Sequence, residues 1–231
     1  MTEDKRDVHI SKSLAYLLRH GAVKEGLDID SNGYILVDVL LQHNRLKSLH
    51  CTLQDVDRVV ANNAKKRFHI KTQEGHSLIC ATQGHSIDAI APADEVLQKV
   101  SDFKQMPSML VHGTTLNNLK LIIQTGCIKK MRRNQIHLAP GVTGVDEGVV
   151  SGMRISSNVY IYLKPDEAHK TLEVFRSMND VYLTPDEIPL ELFEKVVLRE
   201  NAKNKSAVNE ARQLLENRNI PCFTVSHGDQ C

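Results

Sequence analysis

The chain has 231 residues, 41 % of them hydrophobic and 25 % charged, with a formal net charge of +1; this supports one large core or two small ones and excludes a chain dominated by disorder. No apolar run reaches the ~18 residues that mark a bilayer span, and Met1-Thr2-Glu3-Asp4-Lys5-Arg6-Asp7 is too polar for a secretory signal. An intracellular protein of the cytoplasm, the nucleus or both is expected, with no membrane association.

Ser11 is placed to cap a helix in which Leu14, Leu17 and Leu18 recur at helical spacing and Gly21 supplies the stop. That puts Arg19 and His20 in a C-terminal turn, where the helix dipole favours cations. The turn Asp30-Ser31-Asn32-Gly33 precedes a short helix over 37–43. A third helix starts at Thr52, with Asp55 three residues on and Val56, Val59 and Val60 along one face, and ends near Asn62-Asn63. The period then changes: 67–71 and 77–81 read as strands joined across Gln73-Glu74-Gly75. Three helices and a hairpin outline a winged helix-turn-helix, a form that often binds nucleic acid without fixing function.

A proline-punctuated stretch over 91–107 marks a lobe boundary. Beyond it the expected elements are strands at 109–111, 159–163, 180–183 and 195–199, and helices at 115–124 (closed by Gly126), 167–176 and 207–217. The last ten residues are expected to be loosely held. The sum is an α+β protein. The five cysteines, Cys51, Cys80, Cys127, Cys222 and Cys231, are odd in number and widely spaced with no CxxC pair. Reduced, mostly buried thiols are expected rather than a disulfide framework or zinc site.

Near-neutrality hides an asymmetry. Between Asp102 and Asp146 lie 43 residues with no acidic side chain, carrying Lys104, Lys120, Lys129, Lys130, Arg132 and Arg133. Such a stretch can steer a polyanion, or serve as a plain solvated face. Three arginine clusters, Arg19-His20, Arg67-Phe68-His69 and Arg132-Arg133 ahead of His137, are candidates for a phosphate site, because guanidiniums bind phosphate bidentately and stay charged. His112-Gly113-Thr114 follows the first strand of the second lobe, where Gly113 would let a ligand approach the backbone; a turn with a capping threonine reads equally well. Ser151-Gly152-Met153-Arg154 is a glycine turn before an arginine, His137 could be an ordinary strand histidine, and Gln83-Gly84-His85-Ser86 is a polar turn suited to a phosphate backbone or simply a tight turn. There is no P-loop, Rossmann fingerprint or nucleophile elbow.

Taken in order, Arg19-His20 after Leu17-Leu18, Asn32-Gly33-Tyr34, Arg67-Phe68-His69, Ala81-Thr82-Gln83-Gly84-His85-Ser86, His112-Gly113-Thr114, Arg133 with His137-Leu138, and Ser151-Gly152-Met153-Arg154 resemble the tRNA 2'-phosphotransferase family over about residues 9–199, its fungal branch in particular. The resemblance implies a winged-helix RNA-binding lobe over 1–98 and an ADP-ribosyltransferase-like, NAD-binding mixed α/β lobe over 107–220. It implies an enzyme that removes the splice-junction 2'-phosphate of ligated tRNA through an RNA-2'-phospho-ADP-ribose intermediate. The products would be 2'-hydroxyl RNA, ADP-ribose 1'',2''-cyclic phosphate and nicotinamide.

Carried over residue by residue, the catalytic set is Arg19, His20, Arg67 and Arg133. The NAD set is His112, Gly113, Thr114, His137, Leu138, Ser151, Gly152 and Arg154, and the RNA set is Gln83, Gly84, His85 and Ser86. NAD is a co-substrate, the partner is 2'-phosphorylated tRNA or RNA, and a monomer needing no metal and no obligatory protein partner is expected. The 2'-phosphate, with a second pKa of about 6, arrives deprotonated, so arginines that neutralise and aim it would suffice without a general base. His20 would assist proton transfer in the second step or hydrogen-bond the phosphate. Two residues depart from the family pattern: Ala139, where many relatives have serine, puts a nucleotide-side hydrogen bond in doubt, and Cys80, where many have arginine, is expected to remove an RNA phosphate contact. The competing readings are an ADP-ribosyltransferase that leaves ADP-ribose on a nucleic-acid phosphate, and a non-catalytic RNA-binding module.

Overall fold

A computed structural model describes residues 3–226. Its backbone divides into two compact units. The first holds the residues up to Gln98 together with Arg132–Asn134 and Ser177–Asn179; the second holds Lys99–Met131, Gln135–Arg176 and the stretch from Asp180 onward.

In the first unit, α1 (Glu3–Tyr16) runs into a π-helical turn at Leu17–Gly21. Ile10, Leu14, Leu17 and Leu18 form one fully buried stripe, so the apolar period is what holds this helix. Ser11 lies inside α1 rather than at its cap, because Ile10 extends the buried face a turn further back than the sequence reading allowed. Then come β1 (Tyr34–Leu36), α2 (Val37–Gln42) and α3 (Asn44–Lys47). Next are α4 (Leu53–Ala61), β2 (Phe68–Gln73) and β3 (His76–Ala81).

The start of α4 is as expected: Thr52 and Asp55 form a reciprocal capping box that satisfies two otherwise orphaned amides. The β2–β3 hairpin turns on Glu74 and Gly75, both at positive φ (52° and 80°), which matches the strand twist. The sheet order is β1-β3-β2, all antiparallel, with Tyr34 opposite Cys80. Neither α3 nor β1 was expected, since elements of four and three residues are too short to show a period.

The chain leaves the first unit along β4 (Leu97–Lys99). The second unit opens with β5 (Leu110–Thr114), α5 (Leu116–Thr125), β6 (Cys127–Ile128), β7 (Ile136–Leu138) and β8 (Val159–Leu163). It continues with α6 (Pro165–Thr171), β9 (Phe175–Ser177), β10 (Tyr182–Thr184) and β11 (Ile188–Pro189). It closes with β12 (Phe193–Glu200), α7 (Lys205–Glu216) and β13 (Cys222–Ser226).

The main sheet runs β13-β12-β8-β5. Its only parallel pair, β12 with β13, is joined through α7, a β-α-β crossover whose Val208, Ala211 and Leu215 enter the same core as Leu119 and Ile123 of α5. β7 pairs with β10, and β10 with β9; β6 pairs with β11.

Three expectations for this half are corrected. The helix expected over 167–176 is α6, which begins at Pro165, where proline costs no hydrogen bond, and stops at Thr171 so that Phe175 can pair with Leu183. The tail is not loose as far as Ser226, since β13 pairs with β12 residue by residue; residues 227–231 lie outside the described set. Of the four described cysteines, all unbridged, Cys80 alone is buried while Cys51, Cys127 and Cys222 are half-buried.

Candidate active site

Within the first unit, the end of α1 and the loop after β3 come together. Ser86 N–H donates to the carbonyl of Arg19 (2.9 Å), and Ser86 Oγ lies 2.8 Å from His20 Nδ1. This contact occupies Nδ1, so any proton His20 exchanges with a substrate passes through Nε2. Gly84 sits at φ +90°, and a β-carbon there would stand 3.6 Å from Cδ, Nε and Cζ of Arg19. The backbone therefore lies flat along that guanidinium, in a conformation that favours glycine.

The electrostatics set this place apart. Burial, then Arg133, then Arg67 lower the Arg19 pKa to about 10. Burial, Arg19 and Arg133 lower that of His20, and burial lowers that of Arg67. His85, 4 % exposed, falls to about 4 through burial and the charges of Arg19 and His20, so its ring is neutral at physiological pH. Arg19 Nε and Nη2 and His85 Nε2 are buried and have no hydrogen-bond partner among the described residues. Buried polar atoms of this kind cost a folded protein unless they serve a ligand. A group of cations that depress one another fits a multiply charged anion, which would relieve the repulsion and satisfy the donors.

Arg133 belongs to this first unit, carried on the three-residue strap Arg132–Asn134. Sequence position alone put it beyond the lobe boundary. Asn134, which no motif singled out, fastens the strap: its N–H donates to the carbonyl of His85 (2.9 Å) and its Nδ2 to that of Ile87 (2.9 Å). The turn Gln83-Gly84-His85-Ser86, expected as a polar turn suited to a phosphate backbone or simply a tight turn, is buried, with only Ser86 partly exposed. Ser86 N–H and the His85 carbonyl are used in the Arg19 and Asn134 contacts. Cys80 is also fully buried, packed with Tyr34 and Val96, and burial pushes its thiol up to about 12; this inward position does not present a side chain to an RNA backbone.

In the second unit, His112, Gly113 and Thr114 lie in β5 itself, not after it, and Thr115 is the residue that caps α5. His112 Nδ1 lies 3.0 Å from the carbonyl of His137, an acceptor, so Nδ1 carries the proton and Nε2 is the acceptor end. Burial lowers the pKa of His112 and keeps it neutral. His137 and Leu138 are buried in β7.

The space beside Gly113 is filled from within: a β-carbon there would meet Met153 Cβ at 2.5 Å, so the expected open approach for a ligand is corrected to a packing contact. Gly152 likewise makes room for Ala139, whose Cβ would lie 2.7 Å from an added one. Ser151 offers its carbonyl to Thr143 Oγ1 (3.2 Å), and Arg154 is exposed. Among the described residues no cluster of three or more histidines, cysteines or carboxylates could hold a metal, and no helix is long and apolar enough to cross a membrane.

These features define a mixed α/β protein of two units, one carrying a cluster of guanidiniums and imidazoles around the partly buried Arg19. The model of the RNA 2'-phosphotransferase, Tpt1 / KptA family matches residues 5–186. The chain is 50 % identical to a tRNA 2'-phosphotransferase of Saccharomyces cerevisiae over 96 % of both chains, and 42 % identical to tRNA 2'-phosphotransferase 1 of Danio rerio over 79 % of this chain and 80 % of that one. It is 30 % identical to a probable RNA 2'-phosphotransferase of Rhizobium johnstonii over 84 % and 97 %. The protein belongs to the RNA 2'-phosphotransferase family. Among solved structures, DarT of Thermus sp. 2.9 in complex with carba-NAD+ aligns to 52 % of this chain at a TM-score of 0.36 and 11 % identity, too distant to carry an argument.

Proposed function

We propose that this protein is an NAD-dependent RNA 2'-phosphotransferase that removes the splice-junction 2'-phosphate from ligated tRNA. One observation carries the reading: Nε and Nη2 of Arg19 are buried without a hydrogen-bond partner among the described residues, and burial, then Arg133 and Arg67, depress its proton affinity. A dianionic phosphate monoester is the ligand that such a cluster accepts. Family membership supplies the same substrate class.

In this reading Arg19, Arg67 and Arg133 clamp the 2'-phosphate, and the neutral His20 hydrogen-bonds it or passes a proton through Nε2. The helices α1–α4 and the antiparallel sheet of the first unit act as a winged-helix RNA platform. In the second unit, an ADP-ribosyltransferase-like lobe, His112, Thr114, His137, Ser151 and Arg154 would hold NAD. The acceptor Nε2 of His112 suits a ribose hydroxyl. NAD supplies the ribose carbon that takes the phosphate. The phosphate nucleophile arrives deprotonated, so no base is needed for its attack; the arginines counter charge on the phosphoryl oxygens, and His20 Nε2 takes the proton of the ribose hydroxyl that attacks in the second step.

The test is incubation with an RNA bearing one internal 2'-phosphate, with and without NAD. The expected products, only with NAD, are 2'-hydroxyl RNA, nicotinamide and ADP-ribose 1'',2''-cyclic phosphate. RNA that keeps ADP-ribose on its phosphate, or no nicotinamide release at all, would overturn the reading.

A further inference from the structure

The cations of the phosphate site come from three distant stretches of chain, and one turn gathers two of them. Residues 85–90 hold the Arg19 end of α1 through Ser86 N–H and contact His20 through Ser86 Oγ. The same turn receives the strap that carries Arg133. Asn134 N–H donates to His85 O (2.9 Å), while Nδ2 donates to Ile87 O (2.9 Å) and, more weakly, to Ile90 O (3.4 Å). The turn is itself anchored, since Ile90 N–H closes on Ile87 O (3.1 Å) and Ala91 N–H reaches Ser31 O (2.8 Å).

Arg133 is pressed toward a buried like charge, and both arginines would move apart if free to do so. Met131, just ahead of the strap, is at positive φ (60°) and Arg132 is exposed, while Asn134 donates to the carbonyls of His85, Ile87 and Ile90.

We propose that Asn134 is a positioning residue for the reaction: by pinning its strap to the carbonyls of the 85–90 turn, it keeps Arg133 beside Arg19 in the geometry that grips the 2'-phosphate. Asn134 touches no substrate atom and acts through Arg133. This rests on the function proposed above, and it adds a residue whose Nδ2 is used within the protein.

The experiment measures, without NAD, the affinity of the full chain for two RNAs that differ only in one internal 2'-phosphate. The ratio of the two dissociation constants isolates the grip on that phosphate; because one preparation serves both, any unfolded fraction cancels. Asn134→Ala is expected to lower the preference about tenfold, the scale of a mis-set charged hydrogen bond. Asn134→Asp, which keeps the shape but turns an acceptor toward two carbonyls, should do the same or worse. In an Arg133→Ala background, Asn134→Ala should cost nothing more, because its effect passes through that arginine.

A preference unchanged in both Asn134 variants would overturn the proposal. So would an equal further loss in the Arg133→Ala background, which would mark Asn134 as a general structural residue. If the wild-type protein shows no preference for the 2'-phosphorylated RNA, it is the underlying functional reading that fails.

Discussion

Two arginine clusters in the first unit are built on opposite principles. In one, Asp55 takes Arg6 through both carboxylate oxygens (2.8 and 2.6 Å) and Arg58 at 2.7 Å, while Arg58 also grips Asp7 (2.8 and 3.0 Å). Every charge there has a counter-charge: the hydrogen bond from Arg6 holds the Asp55 carboxyl well below the usual range, and hydrogen bonds to the carboxylates raise both arginines. In the other, Arg19, Arg67 and His20 are lowered, with burial the largest cause, and the cations near Arg19 repel. The first cluster ties α1 to the start of α4 and holds the unit together. The second is held in place by the rest of the fold, and, after burial, the charges near Arg19 lower its pKa and that of His20. On the proposed function, the same residue type serves stability where carboxylates neutralise it and phosphate binding where like charges surround it.

The contrast is sharpest in lysine replacements. Arg67→Lys and Arg133→Lys keep the charge but lose the planar fork, and each is expected to cut turnover of 2'-phosphorylated RNA at least about a hundredfold with little change in melting temperature. Near-normal rates in both would show that charge alone suffices.

Next in size, Asp55→Ala should lower the free energy of unfolding in urea by about 3 kcal/mol, since it breaks the capping box and strands two guanidiniums. The protein that stays folded should keep its rate. A loss of both in parallel would erase the distinction between the clusters.

The third way to break the comparison is pH. The folded pKa of His85, about 4, lies below the ordinary imidazole value of 6.5. Between the two, the unfolded chain binds the proton that the folded chain refuses, so stability from this group is full above 6.5 and declines as pH falls toward 4. Replacing His85 by glutamine should flatten that acid limb by at most about 3 kcal/mol. An unchanged profile would mean that the ring protonates in place.

The smallest expected effect is a gain. Arg19→Met removes a desolvated charge beside like charges and should stabilise the fold by about 1–2 kcal/mol while abolishing transfer. Inorganic phosphate should raise the melting temperature of the wild-type protein and not of this variant.

Much of this was legible in the chain. Thr52 with Asp55 announced α4, and Glu74-Gly75 with flanking alternation announced the hairpin, because capping and turn chemistry act over three or four residues. Arg19, His20, Arg67 and Arg133 were named through ordered motifs. Missed were β1 and β13, short strands that exist only because β3 and β12 offer them partners. Missed too was Asn134, whose amide between Arg133 and Gln135 carries no local mark of the carbonyls it meets.

By itself the amino-acid order determined the family, the kinds of chemistry present and the elements whose stabilising contacts lie within a few residues of one another. Only the tertiary structure decided that Arg133 joins the first unit, that Gln83-Gly84-His85 turns inward, and that the spaces beside Gly113 and Gly152 are already filled. The reason is physical: helix caps and hairpin turns are short-range and written in sequence, whereas burial and repulsion between charges depend on distances through space that no spacing along the chain contains.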